Sequence, residues 1–337
     1  ADLVQRMLAA KLHGAEGVFV PDPFHPGHGL MNEDGTPGDL FLPWRTAALV
    51  LGGAEPQGSI CLPQGSANHL FVRGTDAVLV AWNRTPVEET LYLGDAVRQI
   101  DLWGHEEQPP GTDDGSRLRL GPLPAFVTGM SKPVALWRRG FVLAKDRIPS
   151  VFSERHVIRF EFKNTFDQPV TGNARLVASE TWSMRPERFP FRLAPGETSR
   201  HELELSLSNN AVSGPHVLRA EFEFAGGRPH RFSVYRTIQV GLGEVRVEFA
   251  THVNQRGELE IQQRTINPGD YPIAFRCELF APGRQRLSTQ VVGQARSQDV
   301  RVYRFSNGRE LIGKTLWLQA RETQGPQVLN YRFIATE

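Results

Sequence analysis

Three side chains that can bind a ligand lie close together near the start of the chain. Asp22, His25 and His28 fall within the seven residues of DPFHPGH. A carboxylate and two imidazoles can bind sugar hydroxyls, and both residue types also ligate metals. No further ligand at metal-binding spacing is evident, and Pro26-Gly27 is typical of a loop. The sequence leaves loop structure and substrate binding open, and it predicts no metal site.

Aromatic side chains are a second kind of candidate, because their faces stack on sugar rings. Trp137, Trp182 and Trp317 lie in strand-like runs with apolar neighbours, which favours core packing. Trp182 is the best candidate for an exposed platform, since SETWSMRPERFP around it is polar and rich in proline. The sequence has no nucleophile elbow, phosphate loop or paired C-x-x-C. We therefore assign no catalytic residue and no cofactor, and Trp182 joins the loop residues as a candidate for substrate binding.

The first 57 residues must position the loop, and their pattern is that of an α/β unit. Apolar residues recur at helical spacing from Leu3 to Leu12, and Gly14 is placed to end that helix. GVFVPDPF (17–24) predicts a short buried strand at 17–20 that is ended by prolines, and FLPWRTAALVLGG (41–53) predicts a second helix. This order is one unit of a parallel barrel or sheet, which cannot bury its own faces. We expect the 41–53 helix to dock on the domain that begins at residue 58, and residues 1–40 to be less ordered or to associate with a second copy.

From residue 58 onward the period of apolar residues changes to two, which is typical of antiparallel strands. Runs such as AVLVAWN and VLNYRFIA are separated by turn residues, and helix signals are nearly absent. FEFKNTFDQPV (160–170) resembles QQRTINPGDYPI (262–273), which indicates a repeat of about 100 residues. The sequence predicts a mainly β fold of tandem antiparallel sandwiches after the α/β unit. The predicted domains are 1–57, 58–140, 141–242 and 243–337.

Composition and charge argue against several classes of function. The 337 residues carry a formal net charge of +1, which gives no electrostatic case for nucleic acid or an anionic membrane as a partner. No apolar run approaches the roughly 20 residues that span a bilayer. Cys61 and Cys277 lie in different predicted domains without metal-binding neighbours, so we expect neither a disulfide nor a zinc site.

The order of motifs in residues 1–137 resembles the C-terminal end of a retaining-type glycoside hydrolase with a (β/α)8 barrel and an attached β-sandwich. The loop GLMNEDGTPGD and the helix FLPWRTAALVLGGAE match the last barrel unit of that family. The strand ends AVLVAWN and DLWG and the closing LGPLPAFVTG match its sandwich. Residues 141–242 resemble, more loosely, the immunoglobulin-like sandwiches attached to bacterial glycosidases such as α-galactosidases. The matching points are Asn164, Gly172, Trp182, the PGE turn at 195–197 and Gly214.

The resemblance implies that the catalytic groups lie outside this chain. Retaining glycosidases use two carboxylates about 5–5.5 Å apart, and in this family both stand on barrel strands that would precede residue 1. Glu88 and Glu89 cannot converge, because adjacent strand residues point to opposite faces. We assign both to a solvated hairpin edge. DLWG is then a structural signature, with Asp101 at a strand end and Trp103 in the sandwich core.

We therefore expect a non-catalytic C-terminal accessory region of a large bacterial glycoside-hydrolase-like protein. It would support the upstream barrel, which is its expected partner, and contact polysaccharide or another glycan. The alternative is a cell-surface structural or adhesion array with no enzymatic role. Both interpretations place the chain outside the cell or on its surface. Whether the parent protein is an active enzyme stays open.

Overall fold

The computed structural model describes residues 2–152 and 154–337, and strands make up most of its regular structure. Two helices precede the sheets, α1 (Asp2–Leu12) and α2 (Phe41–Leu51), and both confirm the sequence prediction. Gly14 comes after α1 with a φ of +81°, a conformation that favours glycine. The strand predicted at 17–20 is wrong, since no described strand pairs with this segment and Phe19 is 88% exposed. A strand buried on both faces needs neighbours on both sides.

The first sandwich consists of two antiparallel sheets from residues 55–131. One sheet has the strand order β1-β2-β3-β9-β5-β6, and the other has the order β4-β8-β7. The strands are β1 (Glu55–Gly58), β2 (Ala67–Arg73), β3 (Asp76–Trp82), β4 (Val87–Leu91), β5 (Arg98–Ile100), β6 (Glu106–Glu107), β7 (Gly111–Thr112), β8 (Gly115–Leu120) and β9 (Ala125–Ser131).

Strand β3 is buried on both faces, because helices cover the outside of its sheet. Leu79 points into the sandwich core, whereas Val78 and Val80 belong to a cluster with the two helices. That cluster contains Val4 of α1 and Ala47 of α2. The predicted docking of the 41–53 helix on the sandwich is therefore confirmed. Helix α1 packs there too, so the expectation of poor packing does not hold for residues 2–12.

The DLWG turn packs differently from the prediction. Leu102 is 2% exposed and enters the cluster beneath the helices, whereas Trp103 is 53% exposed. The Asp101 carboxylate accepts the backbone N–H groups of Trp103 and His105, both at 2.9 Å. The strand ends at Ile100, which borders the same cluster as Leu102, so Trp103 lies in the turn beyond the strand and outside the sandwich core. The assignment of Trp103 to the core is wrong.

A third helix, α3 (Lys132–Gly140), leads out of the first sandwich. Trp137 of this helix is fully buried in the core of the second sandwich, which confirms the core packing that the sequence favoured. The strand predicted around it is wrong, because the residue lies in a helix. Pro133 in the first turn and Gly140 at the end are ordinary helix boundaries. Among the described residues, none of the helices has the length and apolar content needed to cross a bilayer.

The second sandwich is built from residues 142–241. Its sheets have the orders β10-β12-β16-β14 and β11-β18-β17-β13-β15. All pairs are antiparallel except β11 with β18. The strands are β10 (Val142–Leu143), β11 (Arg147–Pro149), β12 (Arg155–Lys163), β13 (Val170–Val177), β14 (Trp182–Arg185), β15 (Arg188–Leu193), β16 (Thr198–Leu207), β17 (Gly214–Gly226) and β18 (Arg228–Gly241).

The third sandwich uses residues 246–334 and is antiparallel throughout. Its sheets have the orders β19-β20-β23 and β22-β21-β24-β25, and a 3-10 turn covers Gly308–Leu311. The strands are β19 (Arg246–Val253), β20 (Leu259–Asn267), β21 (Ile273–Phe280), β22 (Leu287–Gly293), β23 (Ser297–Phe305), β24 (Thr315–Glu322) and β25 (Val328–Ile334).

The second and third sandwiches share a seven-strand topology, to which the second adds the short strands β11 and β14. The sheets β10-β12-β16 and β15-β13-β17-β18 correspond strand by strand to β19-β20-β23 and β22-β21-β24-β25. The predicted similarity of 160–170 to 262–273 falls on β12 and β20 and on the turns after them. The repeat seen in the sequence is therefore a repeat of topology.

A buried asparagine anchors the corresponding turn in each of these sandwiches. The side-chain oxygen accepts the backbone N–H two residues later, at 3.0 Å for Asn164 and 3.1 Å for Asn267. The side-chain amide donates to the carbonyl four residues later, at 3.0 and 2.7 Å. It also donates to the turn before β16 or β23, at the carbonyls of Ala194 and Gln294. The same set of contacts thus holds two loops together in both sandwiches.

Arg138 of α3 joins the first sandwich to the second. Its guanidinium is 1% exposed and donates to the Tyr92 carbonyl, at 2.6 and 3.2 Å, and to the Ser233 carbonyl at 2.6 Å. Arg236 donates in turn to the Arg138 carbonyl at 2.6 Å. Burial lowers the pKa of Arg138 to about 10, so the group stays charged at neutral pH. A charge held by carbonyls of two sandwiches fixes their relative position.

Asn330 of β25 joins the third sandwich to the second. It is 1% exposed, and its side-chain amide donates to the carbonyls of Asn209 and Ala211 at 3.1 and 3.0 Å. The backbone N–H of Ser213 donates to the Asn330 carbonyl at 2.7 Å. The hydroxyl of Ser150 donates to the carbonyl two residues before Asn330, at 2.6 Å. These hydrogen bonds are directional and sheltered from water, so together they favour one orientation of the two sandwiches.

Candidate functional site

The segment from residue 22 to residue 40 is a loop between the two helices, held by its own turns. The Asp22 carboxylate accepts the N–H of Phe24 at 3.2 Å, and the Asp34 carboxylate accepts the N–H and the hydroxyl of Thr36. These hydrogen bonds lower the pKa of Asp34. Met31 and Pro37 form an isolated bridge across the loop. The loop therefore has a defined shape without a strand.

His25 and His28 lie face to face in this loop. Their ring centroids are 3.4 Å apart with the planes inclined by 24°. His25 Nδ1 accepts the N–H of Gly27 at 3.1 Å, which leaves its Nε2 as the donor of the neutral ring. The side chain of Asp22 bonds to the backbone of its own turn, so the structure brings the histidines together without the carboxylate. No group of three or more metal-ligating side chains occurs in residues 2–152 and 154–337.

A cavity of about 350 Å³ lies beside His25 in the loop. It is large enough for one small ligand. Its polar lining includes the side chains of Asn32, Glu33 and Asp39, and Phe24, which is half exposed, forms part of its apolar wall. Asp22 and His28 lie outside the lining. Hydrogen-bond donors and acceptors next to an aromatic edge suit a ligand with hydroxyl groups. Of Asp22, His25 and His28, His25 is the residue that could contact such a ligand in this cavity.

Trp182 is buried, contrary to its assignment as a platform. It is 7% exposed and belongs to the core of the second sandwich, where its ring centroid lies 5.0 Å from that of His216. A ring with both faces covered cannot stack on a sugar. The polar and proline-rich sequence around it comes from outward residues of a short strand, since Ser183 and Arg185 alternate with buried neighbours.

Glu88 and Glu89 point to opposite faces of β4, as predicted, but only one of them is solvated. Glu88 is exposed and lies near Arg117 and Arg119 at 3.7 and 3.6 Å. Glu89 is fully buried and accepts the backbone N–H groups of residues 64 and 66, at 2.8 and 3.1 Å. Its assignment to the solvated edge is wrong. Glu89 holds the loop that enters β2, so a buried carboxylate here is structural.

The N-terminal region carries several exposed apolar side chains. Leu42 and Leu49, one heptad apart on α2, are 40% and 63% exposed. A groove of about 250 Å³ lies between α1 and α2, and Val18 is one of the residues that line it. The next residue, Phe19, is 88% exposed. The turn that carries Trp103 lies against α2. We call Val18, Phe19, Leu42, Leu49 and Trp103 the apolar face.

Comparison with known proteins identifies no family for this chain. No protein-family model matches the sequence, and no curated protein matches it. Similar solved structures include a red sea bream transglutaminase, at 12% identity and a TM-score of 0.26, which covers 59% of this chain. This chain spans 31% of that transglutaminase.

Two chaperones are also similar over part of the chain. The YadV chaperone has 11% identity and a TM-score of 0.22, with coverage of 58% of this chain and 99% of that one. The E. coli chaperone DraB has 12% identity and a TM-score of 0.21, with coverage of 58% and 98%. At such low TM-scores these likenesses carry no argument about function.

Proposed function

We propose that this chain is a non-catalytic accessory region of a larger glycoside-hydrolase-like protein, in which the apolar face docks on an upstream (β/α)8 barrel. The apolar face is the observation that carries the proposal. Residues 1–57 would be the last unit of that barrel, and the second and third sandwiches would be immunoglobulin-like modules. The barrel would supply the catalytic carboxylates, and the chain would act outside the cell or on its surface.

The energetics of the apolar face support a partner. Full burial of one large apolar side chain is worth about 1.5–3 kcal/mol. Phe19, Leu49 and Trp103 are each more than half exposed, so a surface that covers them gains several kcal/mol. The motif resemblance of this same region is to the unit that closes a barrel, which makes the barrel the occupant that we propose.

The two joints support a spacer role. Arg138 and Asn330 are both buried and hydrogen bonded across a boundary between sandwiches. Flexible linkers between modules carry few such contacts. A fixed array holds the barrel at a constant distance and angle from whatever the third sandwich contacts. The cavity beside His25 lies next to the proposed barrel surface, where it would line a glycan cleft.

The proposal is tested with the natural polypeptide that includes the residues upstream of this chain. We expect Leu49→Ser with Trp103→Ser to lower the unfolding temperature of the barrel and to speed hydrogen exchange in α2. The matched control is Val157→Ser with Val217→Ser, two valines that are 55% and 48% exposed on the second sandwich. It should leave both measurements unchanged.

Three results would contradict the proposal. Equal effects of the test and control variants would show that the apolar face has no special partner. An upstream sequence that encodes no barrel would favour the adhesion array instead. A dimer of this chain that the Leu49 and Trp103 changes convert to a monomer would assign the face to a second copy.

A further inference from the structure

The outer face of one sheet in the second sandwich carries an excess of arginine that the chain-wide charge conceals. The outward positions of β15, β13, β17 and β18 include five arginines and two glutamates. We call the arginines the basic face; they are Arg175, Arg188, Arg192, Arg219 and Arg231. Glu221 lies 3.6 Å from Arg175 and 2.6 Å from Arg219. Within residues 2–152 and 154–337, the other three arginines have no carboxylate within 4.0 Å.

The strand register places two of these arginines directly opposite each other. Arg175 of β13 pairs with Arg188 of β15, which puts the Cβ atoms about 4.5–5.5 Å apart. Like charges in this position destabilise a sheet. Both residues are exposed, so solvent reduces the repulsion without removing it. An anion bound between them would replace repulsion by two charge-assisted contacts.

A second spacing extends the basic face along the edge of the sheet. Arg188 and Arg192 point the same way from β15, about 13 Å apart along the strand. Strand β15 ends the sheet order, and arginine with Pro190 protects such an edge against pairing. Edge protection accounts for β15 alone. It does not account for Arg175 and Arg219, which lie on the inner strands β13 and β17.

We propose that the basic face binds a linear acidic polysaccharide through carboxylate or sulfate groups that repeat along the chain. The surface is an open sheet face, so it suits an extended polymer better than a compact ligand. Arginine forks match carboxylates and sulfates in geometry. Single-stranded nucleic acid needs aromatic platforms for its bases, and Tyr235, which is half buried, is the aromatic side chain at an outward position here. This proposal is independent of the proposed function, because the basic face and the apolar face lie on different sandwiches.

The test measures binding of polygalacturonate to the whole chain by calorimetry, with dextran as the neutral polymer. We expect Arg188→Gln with Arg192→Gln to weaken binding at least tenfold. The control is Arg155→Gln with Arg200→Gln on the other sheet of the same sandwich, and it should change affinity less than twofold. Both control arginines are exposed and paired, with Glu204 at 3.2 Å and Glu161 at 3.1 Å, so the net charge changes equally. Wild-type affinity should fall as salt rises.

A further variant guards against aggregation of the altered edge. Arg175→Gln, on an inner strand, should weaken binding several-fold while β15 keeps its protecting charges. Equal losses in the test and control pairs would overturn the proposal, as would equal binding of dextran. Tighter binding of polyglutamate or of an oligodeoxythymidine would also overturn it, because the basic face would then serve an acidic protein or a nucleic acid.

Discussion

The second and third sandwiches share a seven-strand topology and yet stabilise it with different cores. In the second, Trp137 arrives from α3 and packs among phenylalanines, with centroids 4.8 Å from Phe224 and 5.3 Å from Phe222. In the third, a buried polar group replaces that aromatic packing: Tyr303 donates to Gln263 at 2.6 Å, and Gln263 donates to Thr265 at 3.1 Å. The second core therefore depends on a helix outside its own sheets, whereas the third is complete in itself. One strand order does not fix how its interior is filled.

Trp137→Ala should have the largest effect, because it should destabilise the second sandwich and leave the third unchanged. Removal of a fully buried tryptophan costs about 3–5 kcal/mol, and here it also empties the point where α3 enters the second sandwich. We expect faster hydrogen exchange across β12–β18 and unchanged exchange in residues 246–334. Trp317→Ala is the control, since Trp317 is a half-buried residue that stacks on Phe280 at 5.3 Å. If Trp137→Ala sped hydrogen exchange in residues 246–334 to a comparable extent, the two cores would be coupled.

Replacement of the anchoring asparagines should reveal what the two sandwiches share. Asn164→Ala and Asn267→Ala each leave buried backbone groups unpaired, at a cost of about 1–3 kcal/mol. The effect should be larger for Asn164, whose amide reaches three carbonyls, whereas that of Asn267 reaches two. Denaturant unfolding measures the loss, with the exposed Asn173→Ala as control. A negligible effect at either anchor would show that the turns form without it.

Tyr303→Phe should sharpen the difference between the cores. The change removes one buried hydrogen bond and leaves Gln263 Oε1 without that donor, so we expect a loss of about 0.5–1.5 kcal/mol. The second sandwich should keep its unfolding midpoint. Tyr271→Phe is the control, because Tyr271 is 81% exposed. A gain in stability would show that the hydrogen bond between Tyr303 and Gln263 does not stabilise the third sandwich.

Acidification should weaken the second sandwich before the third. Burial lowers the pKa of His230, which packs on Phe166 and Phe224, below its usual 6.5. The folded state then binds fewer protons than the unfolded chain below pH 6.5, so stability falls as pH drops through that value. Unfolding of the second sandwich at about pH 7.5 and about pH 5 should show this loss, and His230→Gln should reduce it. His252→Gln, at an exposed site in the third sandwich, should not.

Much of the fold could be predicted from periodicity, because period-two burial is strong in these strands. The mainly β fold and both N-terminal helices were predictable from it, and so was the repeat that begins at Asn164 and Asn267. Helix α3 was missed because its nine residues are too short to show a helical period. The signal present was Pro133 after Ser131 with Gly140 at the end, which marks a short helix better than its apolar content does.

The candidate site was predicted less well, because exposure depends on partners that a sequence does not display. Trp103 is exposed because it lies in the turn after the strand has ended at Ile100, whereas Leu102 enters the cluster beneath the helices. Trp182 is buried although its segment is polar. Successive residues of a strand face opposite sides, so the polar residues on the outer side say little about the inner side. Glu89 is buried because two backbone N–H groups from a distant loop satisfy it. The proximity of His25 to His28 was predictable from their spacing.

Strand β18 runs without interruption from one joint to the other. Near its start Arg228 contacts Asp95 of the first sandwich at 2.6 Å, and at its end the Gly241 carbonyl accepts the N–H of Ser150, whose hydroxyl bonds to the third sandwich. Its 14 residues span about 43 Å. One continuous strand therefore carries contacts to the first sandwich at one end and to the third sandwich at the other. Its ladder to β17 extends from Arg228 to Val240, so a single hairpin sets the distance between the two outer sandwiches.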